Sequence, residues 1–436
     1  MKNSKIIISA IVLFNVFTSG CFTSVQNKNN SSLILSDTSS LIIQTPVKIG
    51  VYYTGVYPNL FKELLNKNNS EINQKIQNAF EQLFYGNDSM QRVYYPVEPD
   101  MAYIKDINND DIRTEGMSYG MMIAVQLDKK DEFDRLWKWA KTFMQYKSGQ
   151  HKDYFSWHCK DNGTKIDSNS ASDGEEWFVM TLFFASARWD DGEGIYNYEK
   201  EAQTILDAML NKTESSNEKN IVTNIFNKKE KQVVFVPAGE ADDFTDPSYH
   251  LPHFYKLWAK WTDKENQFWN DAADVSRNLL MKAVNPVTGL APDYTNFDGT
   301  PVNPWGGGNN NFQYDAWRVA ANIAIDYTWF AGDDVDWDKW AIEQSNRYLN
   351  FFYKQEIGKY GSVFTLDGKK LMDDHSTGLI SVNAVACLSS TNDHRKDFME
   401  ELWNVKIPDG KYRYYDGMLY MLSLLQVSGN FRVYDF

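Results

Sequence analysis

Two kinds of helical segment alternate along this chain, and the alternation is the strongest constraint on its fold. Segments such as 121–127 and 178–187 are apolar on every side, whereas the segments that follow them carry apolar residues only at i, i+3, i+4 and i+7. A helix that is apolar all round must be buried, while an amphipathic helix can face water with one side. The pattern predicts an all-α fold in which an inner ring of buried helices is covered by an outer ring.

The same periodicity sets the boundaries of the predicted helices. They span 58–67, 70–84, 116–127, 131–146, 175–189, 197–211, 247–261, 265–282, 314–330, 336–354, 376–390, 396–404 and 414–427. The extended piece at 233–236 is expected to form a small strand in a loop. No proline-, glycine- or serine-rich break divides residues 46–436, so we predict a single domain there.

Composition excludes several classes of partner. The net charge is −14 and no basic stripe with interleaved aromatic residues is present, so nucleic acid is not an expected partner. Aromatic residues make up 15% of the chain, which fits either an aromatic core or a surface that stacks on sugar rings. Cys159 and Cys387 are predicted to be structural thiols, because neither has further ligands at metal-binding spacing. No metal is therefore expected.

The N-terminus has the features of a secretion signal. Residues 1–20 combine Lys2 and Lys5 with an apolar run at 6–17 that is too short to span a bilayer. Cys21 follows a pair of small residues, as in a bacterial lipoprotein box, and is predicted to be lipidated; ordinary secretion is the alternative. Residues 21–45, rich in Asn and Ser, are predicted to be a tether. We expect a monomer in the cell envelope, periplasmic or at the cell surface, that contacts the membrane only through a lipid.

Three acidic side chains stand where apolar helices begin, namely Glu115, Asp173 and Asp315. Near a first helical turn, backbone N–H groups and the helix dipole favour the charge of a carboxylate, while apolar neighbours oppose it. Hydrolysis of a glycosidic bond needs two carboxyl groups in different environments, one as acid and one as base. The three positions therefore predict a glycoside hydrolase.

Each carboxylate also has a simpler structural explanation. Glu115 could complete a helix cap, and Asp173 could cap its helix in a capping box with Glu176. Asp315 and Arg318 could form a surface ion pair of little energetic value. A catalytic role is favoured over these structural explanations because all three carboxylates occur in one chain.

Four more side chains are candidates for binding substrate or the attacking water. Tyr119 lies one helical turn beyond Glu115, and Trp177 follows Asp173 at a position where its indole could stack on a sugar. Tyr249 could hydrogen-bond a nucleophilic water, and His375 lies in the loop before a predicted helix. A place in the core explains Trp177 equally well, and a place at a helix start explains His375 equally well.

Four motifs, in this order, resemble those of glycoside hydrolase family 8: RTEGMSYGMM at 113–122, ASDGEEW at 171–177, DPSY at 246–249 and YDAWR at 314–318. The resemblance spans most of residues 50–430. It implies an (α/α)6 barrel and an inverting mechanism that needs no metal or organic cofactor.

The resemblance also implies a role for each site residue. Glu115 would be the general acid, Asp315 the general base, and Asp173 the residue that binds and distorts the sugar at subsite −1. Tyr249 and Arg318 would position the water and the base.

Segments 156–158 and 293–299 resemble the xylan-active branch of that family. The resemblance implies xylo-oligosaccharides or xylan as substrate, cut either by an exo-enzyme that releases xylose from the reducing end or by an endo-xylanase. In exo-acting members a Leu-His-Pro-like kink is expected, and the corresponding stretch here is DHSTGL at 374–379, so both modes remain open. A β-1,4-glucanase of the family, a polysaccharide lyase and a non-catalytic glycan-binding lipoprotein are the further alternatives.

Overall fold

A computed structural model of the chain describes residues 49–212 and 222–436. The predicted signal peptide at 1–20, the tether at 21–45 and Cys21 lie outside the described residues. Val47–Phe436 forms one compact unit. Within the part of the chain that is described, no helix has both the length and the apolar character needed to cross a bilayer.

Helices dominate the described residues. The α-helices are α1 (Val51–Thr54), α2 (Leu60–Leu65), α3 (Asn69–Tyr85), α4 (Thr114–Gln126), α5 (Lys130–Trp139), α6 (Ser172–Trp189), α7 (Tyr198–Asn211), α8 (Pro252–Trp261), α9 (Asn266–Ala283), α10 (Trp317–Phe330), α11 (Val335–Lys354), α12 (Thr377–Ala386), α13 (Arg395–Asn404) and α14 (Arg413–Val427).

Short strands form four antiparallel ribbons in the loops between helices. They pair β1 (Tyr94–Val97) with β2 (Met101–Ile104), β3 (Ile112–Arg113) with β4 (His158–Cys159), β5 (Phe226–Asn227) with β6 (Gln232–Val233), and β7 (Val363–Phe364) with β8 (Lys370–Met372).

The long helices form two concentric rings. The inner ring consists of α4, α6, α8, α10, α12 and α14; each helix packs against the next, and α14 closes the ring on α4. One outer helix covers each inner helix: α5 lies on α4, α7 on α6, α9 on α8, α11 on α10, α13 on α12 and α3 on α14. The chain is therefore an (α/α)6 barrel, as predicted.

Hydropathy decides which helix enters which ring. All of α10 is buried, as is α4 from Gly116 onward. In the outer helix α11, by contrast, burial recurs at helical spacing, as at Trp337, Ala341 and Tyr348. An apolar stripe is buried against the inner ring while the opposite face stays in water. The predicted alternation of buried and amphipathic helices is confirmed.

Some predicted boundaries are wrong. The helix predicted at 247–261 begins only at Pro252, because a proline ring disfavours the helical conformation in the residue before it, and Leu251 has φ −119° and ψ 64°. The strand predicted at 233–236 is limited to the short β6. Cys159 and Cys387 are buried free thiols, as predicted.

The inner helices run in the same direction, so their N-termini meet at one end of the barrel. Near the C-terminal ends of α6 and α10, the rings of Phe184 and Trp329 are 6.2 Å apart. At the opposite end, where α4 and α10 begin, a carboxylate oxygen of Glu115 is 3.0 Å from Arg318. Polar side chains at helix starts that are far apart in sequence are therefore brought to one place.

Candidate active site

Arg318 is the centre of an ion-pair cluster at the N-terminal end of the inner ring. Its side chain is only 7% exposed. Nη1 lies 3.0 Å from Glu115 and 3.1 Å from Asp173, while Nη2 lies 2.9 Å from Asp315. Nη1 also donates a hydrogen bond to the hydroxyl of Tyr119 at 2.8 Å. Residues predicted from three separate motifs thus meet on one guanidinium group.

Glu115 is the carboxyl group best suited to donate a proton. Besides the contact with Arg318, its Oε1 accepts a hydrogen bond from the hydroxyl of Tyr414 at 2.8 Å. Burial raises the pKa of Glu115 to about 7; the charge of Arg318 opposes this rise, and the negative charge of Asp173 adds to it. A carboxyl group with that pKa keeps its proton close to neutral pH, as a general acid must.

Asp173 lies beside Glu115 on the same guanidinium. Its side chain is 6% exposed. Burial raises the pKa of Asp173 to about 6, with Arg318 acting in the opposite direction. Asp173 shares the guanidinium of Arg318 with Glu115 and Asp315. It is therefore well placed to hydrogen-bond a sugar ring that lies between the acid and the base.

Two glycines allow the helix starts to approach this closely. A Cβ atom at Gly174 would lie 2.3 Å from Oγ1 of Thr114, and one at Gly116 would lie 2.5 Å from the ring of Tyr414. Atoms cannot approach to these distances without displacing the neighbouring helix. The glycines therefore fix the spacing between α4, α6 and α14 at the site.

The simpler explanations for these carboxylates are wrong. No side-chain hydrogen bond caps α4 or α6, so neither Glu115 nor Asp173 acts as a cap. Glu176, the expected partner of Asp173 in a capping box, accepts a hydrogen bond from a tyrosine of α8 instead. The pair between Asp315 and Arg318 is not on the surface, because Arg318 is buried.

Asp315 is the most open of the three carboxylates, with 31% of its side chain exposed. It lies in a turn of 3₁₀ helix just before α10. The turn is strained, since Tyr314 has φ +26°, which non-glycine residues rarely adopt. Asp293 holds the turn by accepting hydrogen bonds from the backbone N–H of Ala316 at 3.2 Å and from Nε2 of Gln313 at 2.6 Å.

Two buried carboxyl groups surround Asp315. Burial raises the pKa of Asp246 and of Asp293 well above the usual range, and the negative charge of Asp315 raises both further. Oδ1 of Asp246 accepts a hydrogen bond from the backbone N–H of Ser248 at 2.6 Å, and Oδ2 has no partner among the described residues. Burial and the nearby negative charge thus favour the neutral forms of Asp246 and Asp293, whereas Asp315 is open enough for a water to reach its carboxylate.

Tyr249 lies beside the same cation. The guanidinium carbon of Arg318 is 5.6 Å from the centre of its ring, and no described residue hydrogen-bonds to its hydroxyl. Ser248, the preceding residue, accepts a hydrogen bond from Nη2 of Arg318 at 2.9 Å. The tyrosine hydroxyl is thus available to a water or to substrate, as its predicted role requires.

Two other predicted binding residues are engaged within the protein. Trp177 is 8% exposed and its ring meets the edge of Tyr119 at 4.7 Å, so its indole is packed in the core without an open stacking face. In His375, Nδ1 lies 2.8 Å from the carbonyl oxygen of Tyr360, and Nε2 lies 3.0 Å from Glu401. These contacts explain both residues as structural, and their predicted contact with substrate remains a prediction.

Tyr414 and Asp293 are site residues that the sequence analysis missed. Tyr414 is the second residue of α14, just as Glu115 and Asp173 are the second residues of α4 and α6. A polar side chain at the start of an inner helix is the signal that could have found it. Asp293 lies in a loop, and only the fold brings it beside Asp315.

The arrangement fits single displacement at a sugar carbon. Glu115 and Asp315 bind different nitrogens of Arg318, so the guanidinium stands between the acid and the base. An inverting enzyme needs its two carboxyl groups about 6.5–9.5 Å apart, because a water must fit between the base and the sugar. Across the described residues, no group of three or more His, Cys, Asp and Glu side chains is arranged to hold a metal ion.

The hydrogen bond from Tyr414 gives a testable pH effect. A donor to the carboxylate stabilises its charged form, so Tyr414→Phe should raise the pKa of Glu115 further. Activity that requires protonated Glu115 is lost as pH rises through about 7, and this loss should occur at higher pH in the variant. We expect kcat/KM to fall about tenfold at its optimum, as for one hydrogen bond to a charged group.

The measurement is the pH profile of kcat/KM, with Tyr415→Phe as the control. The hydroxyl of Tyr415 donates to the carbonyl oxygen of Tyr314 at 3.0 Å and not to Glu115. The control should leave the alkaline limb in place. An unmoved limb in Tyr414→Phe would show that this hydrogen bond does not tune the acid.

Comparison with known proteins relates the whole barrel to one family. The sequence profile of Glycosyl hydrolases family 8 matches residues 102–429. A reducing-end xylose-releasing exo-oligoxylanase, Rex8A of Paenibacillus barcinonensis, is 44% identical over 88% of this chain and 98% of its own length. A reducing end xylose-releasing exo-oligoxylanase of Halalkalibacterium halodurans is 41% identical over 88% of this chain and 96% of its own.

Solved structures agree with this relationship. A family 8 xylobiose complex from Teredinibacter turnerae superposes with a TM-score of 0.84 at 44% identity, covering 88% of this chain and all of that one. More distant relatives include an endoglucanase of Ruminiclostridium josui, which is 28% identical.

Proposed function

Because the chain belongs to glycoside hydrolase family 8, a family of inverting enzymes, we propose that it hydrolyses the β-1,4-xylosidic bonds of xylo-oligosaccharides and releases xylose from their reducing end. The observation that carries the proposal is the cluster on Arg318. Glu115 protonates the leaving oxygen, Asp315 takes a proton from water on the opposite face, and Asp173 holds the sugar between them.

Relatives support the choice of xylo-oligosaccharides. Two relatives at 44% and 41% identity are xylose-releasing exo-oligoxylanases, and the Teredinibacter turnerae protein at 44% is a xylanase, whereas the endoglucanase of Ruminiclostridium josui is only 28% identical. Nothing in the proposed chemistry requires a metal, because the acid and the base are both carboxyl groups with suitable surroundings.

An exo-enzyme also needs one end of its cleft to be closed, and the ribbon of β7 and β8 is a candidate for the closing element. Phe364 in β7 exchanges two backbone hydrogen bonds of 2.9 Å with Phe312, three residues before Asp315. Leu371 and Met372 in β8 are 46% and 41% exposed. A ribbon that presents two exposed apolar side chains and is fixed to the loop of the base supports release of a single sugar over internal cleavage.

Product analysis on xylohexaose tests this proposal. We expect only xylose and xylopentaose as early products, and we expect the hexaose with its reducing end converted to the alditol to resist cleavage. Chromatography of both reactions at low conversion is the measurement. Mixed internal products from both substrates would instead identify an endo-xylanase.

The same assay separates the remaining alternatives. If neither xylo-oligosaccharide is cut, cello-oligosaccharides come next, because a β-1,4-glucanase of the same family would cut them. A non-catalytic glycan-binding protein would retain xylan without forming new reducing ends. A lyase would give an unsaturated product that absorbs ultraviolet light.

We further propose that the enzyme is a monomer anchored to the cell envelope by a lipid on Cys21. The small residues before Cys21 and the tether at 21–45 support this location. Cys21→Ser should abolish incorporation of labelled fatty acid and move activity from the membrane fraction to the soluble fraction. Cys159→Ser, which alters a buried thiol, is the control and should keep the label. Labelling of Cys21→Ser would contradict the proposal.

A further inference from the structure

A groove near the cluster on Arg318 is bordered by Trp305, a largely exposed aromatic residue. Trp305 is 61% exposed. Exposure of so large an apolar side chain to water is energetically unfavourable. The groove has a volume of about 740 Å³. Its lining includes the aromatic Trp305 and Phe244 and the polar Asn296, Asn303, Glu240 and Asp243.

The indole of Trp305 is supported from below by other rings. Its centroid lies 5.6 Å from Phe235, 5.6 Å from Phe244 and 5.8 Å from Tyr294. Phe235 in turn stacks on Tyr249 at 5.8 Å with an interplanar angle of 16°. Because this support fixes the indole in place, a ligand that stacks on its exposed part needs little further ordering of the side chain.

The aromatic rings also connect the groove to the catalytic centre. Tyr249 lies beside Arg318, as described above. The row from Trp305 through Phe235 to Tyr249 therefore extends from the groove to the ion-pair cluster. A sugar chain bound across the cluster can extend toward the exposed indole of Trp305, which these packed rings hold beside the groove.

The polar side chains of the groove limit what can bind. The amide group of Asn296 and Nδ2 of Asn303 can hydrogen-bond to hydroxyls, while Glu240 and Asp243 place two carboxylates at the same rim. A uronic acid would meet like charges there, whereas a neutral sugar ring would not. An exposed indole with nearby amides and carboxylates is suited to a ring that has an apolar face and hydroxyls at its edge.

The loop that carries Trp305 is tied to the loop of the base. Asn303 Oδ1 accepts hydrogen bonds from the backbone N–H groups of Gly308 at 3.0 Å and Asn309 at 3.2 Å. The N–H of Tyr294, next to Asp293, in turn donates to the carbonyl oxygen of Asn309 at 2.9 Å. The indole is thus held at a fixed distance from the site of cleavage.

We infer that the groove beside Trp305 is a binding subsite for a neutral pentose ring of the substrate chain, at a distance from the bond that is cut. The inference rests on the proposed function and adds to it a residue that determines chain-length preference. Long xylo-oligosaccharides reach the groove, and short ones do not.

Calorimetric titration of the inactive Glu115→Gln protein tests the inference without turnover. The probes are xylohexaose and xylotriose, and the second substitution is Trp305→Ala. We expect Trp305→Ala to weaken the binding of xylohexaose about tenfold, as for loss of an aromatic contact at an interface, and to change the binding of xylotriose less than about twofold. Trp305→Phe should restore most of the affinity for xylohexaose.

Tyr53→Ala is the matched control. Tyr53 is also exposed, at 51%, but it packs on Phe330 at the opposite end of α10. It should leave both affinities unchanged. If Trp305→Ala weakens the binding of both probes equally, or of neither, the subsite is overturned while the proposed function stays intact. If the Glu115→Gln protein binds neither probe, the proposed function itself fails, and the subsite fails with it.

Discussion

Glu115→Gln should lower kcat on xylohexaose by a factor on the order of 10³ or more with the fold unchanged. The amide has nearly the same shape as the protonated carboxyl group and can keep a contact with Tyr414, but it has no proton to give to the leaving oxygen. Burial raises the pKa of Glu115 to about 7, so the wild-type residue carries that proton when the pH of the assay is below this value. Steady-state rates and the circular dichroism spectrum are the measurements.

A substrate with a good leaving group isolates the role of the acid. Fluoride leaves from β-xylobiosyl fluoride without protonation, so Glu115→Gln should hydrolyse it far better than it hydrolyses xylohexaose. Glu175→Gln is the matched control. Glu175 is also buried in the first turn of an inner helix, and burial raises its pKa to about 8, so a neutral amide should replace it with little loss of rate. Near-normal turnover of xylohexaose by Glu115→Gln would end the assignment.

Asp315→Asn should lower kcat by a similar factor on both substrates, because activation of water is required whatever group leaves. This common loss distinguishes the base from the acid. The expected product of the wild-type enzyme is the α-anomer of the sugar, formed before mutarotation, and proton NMR during the first minutes detects it. A β-anomer as the first product would exclude the single-displacement role of Asp315.

Asp298→Asn is the control for Asp315→Asn. Asp298 is an exposed aspartate in the turn that follows Asp293, so it should keep most of the activity. The Asp315→Asn protein should also remain folded, since Asn can accept a hydrogen bond from Arg318. A variant that hydrolyses xylobiosyl fluoride at the wild-type rate while failing on xylohexaose would show that Asp315 acts on the leaving group and not on water.

Local patterns were enough to predict the helices and three of the carboxylates. The spacing of apolar residues predicts a helix and its buried face directly, because both depend on residues that are close in the sequence. The boundary at Pro252 was also present in the sequence, because proline is favoured at the first position of a helix. For Trp177, the local pattern could not distinguish a stacking platform from a packed core residue, because that distinction depends on which helix lies opposite.

The sequence by itself determined that this protein is a double ring of helices with carboxylates at the starts of its inner helices. The spacing of apolar residues and the residues at a helix start are local properties, so they can be identified from the sequence alone. Only the tertiary structure decided that Glu115, Asp173 and Asp315 share one guanidinium, that Tyr414 holds the acid, and that Asp293 and Asp246 stand beside the base. These contacts join residues up to 299 positions apart. The raised pKa values of Glu115, Asp173, Asp246 and Asp293 come first from burial, which does not exist until the ring closes.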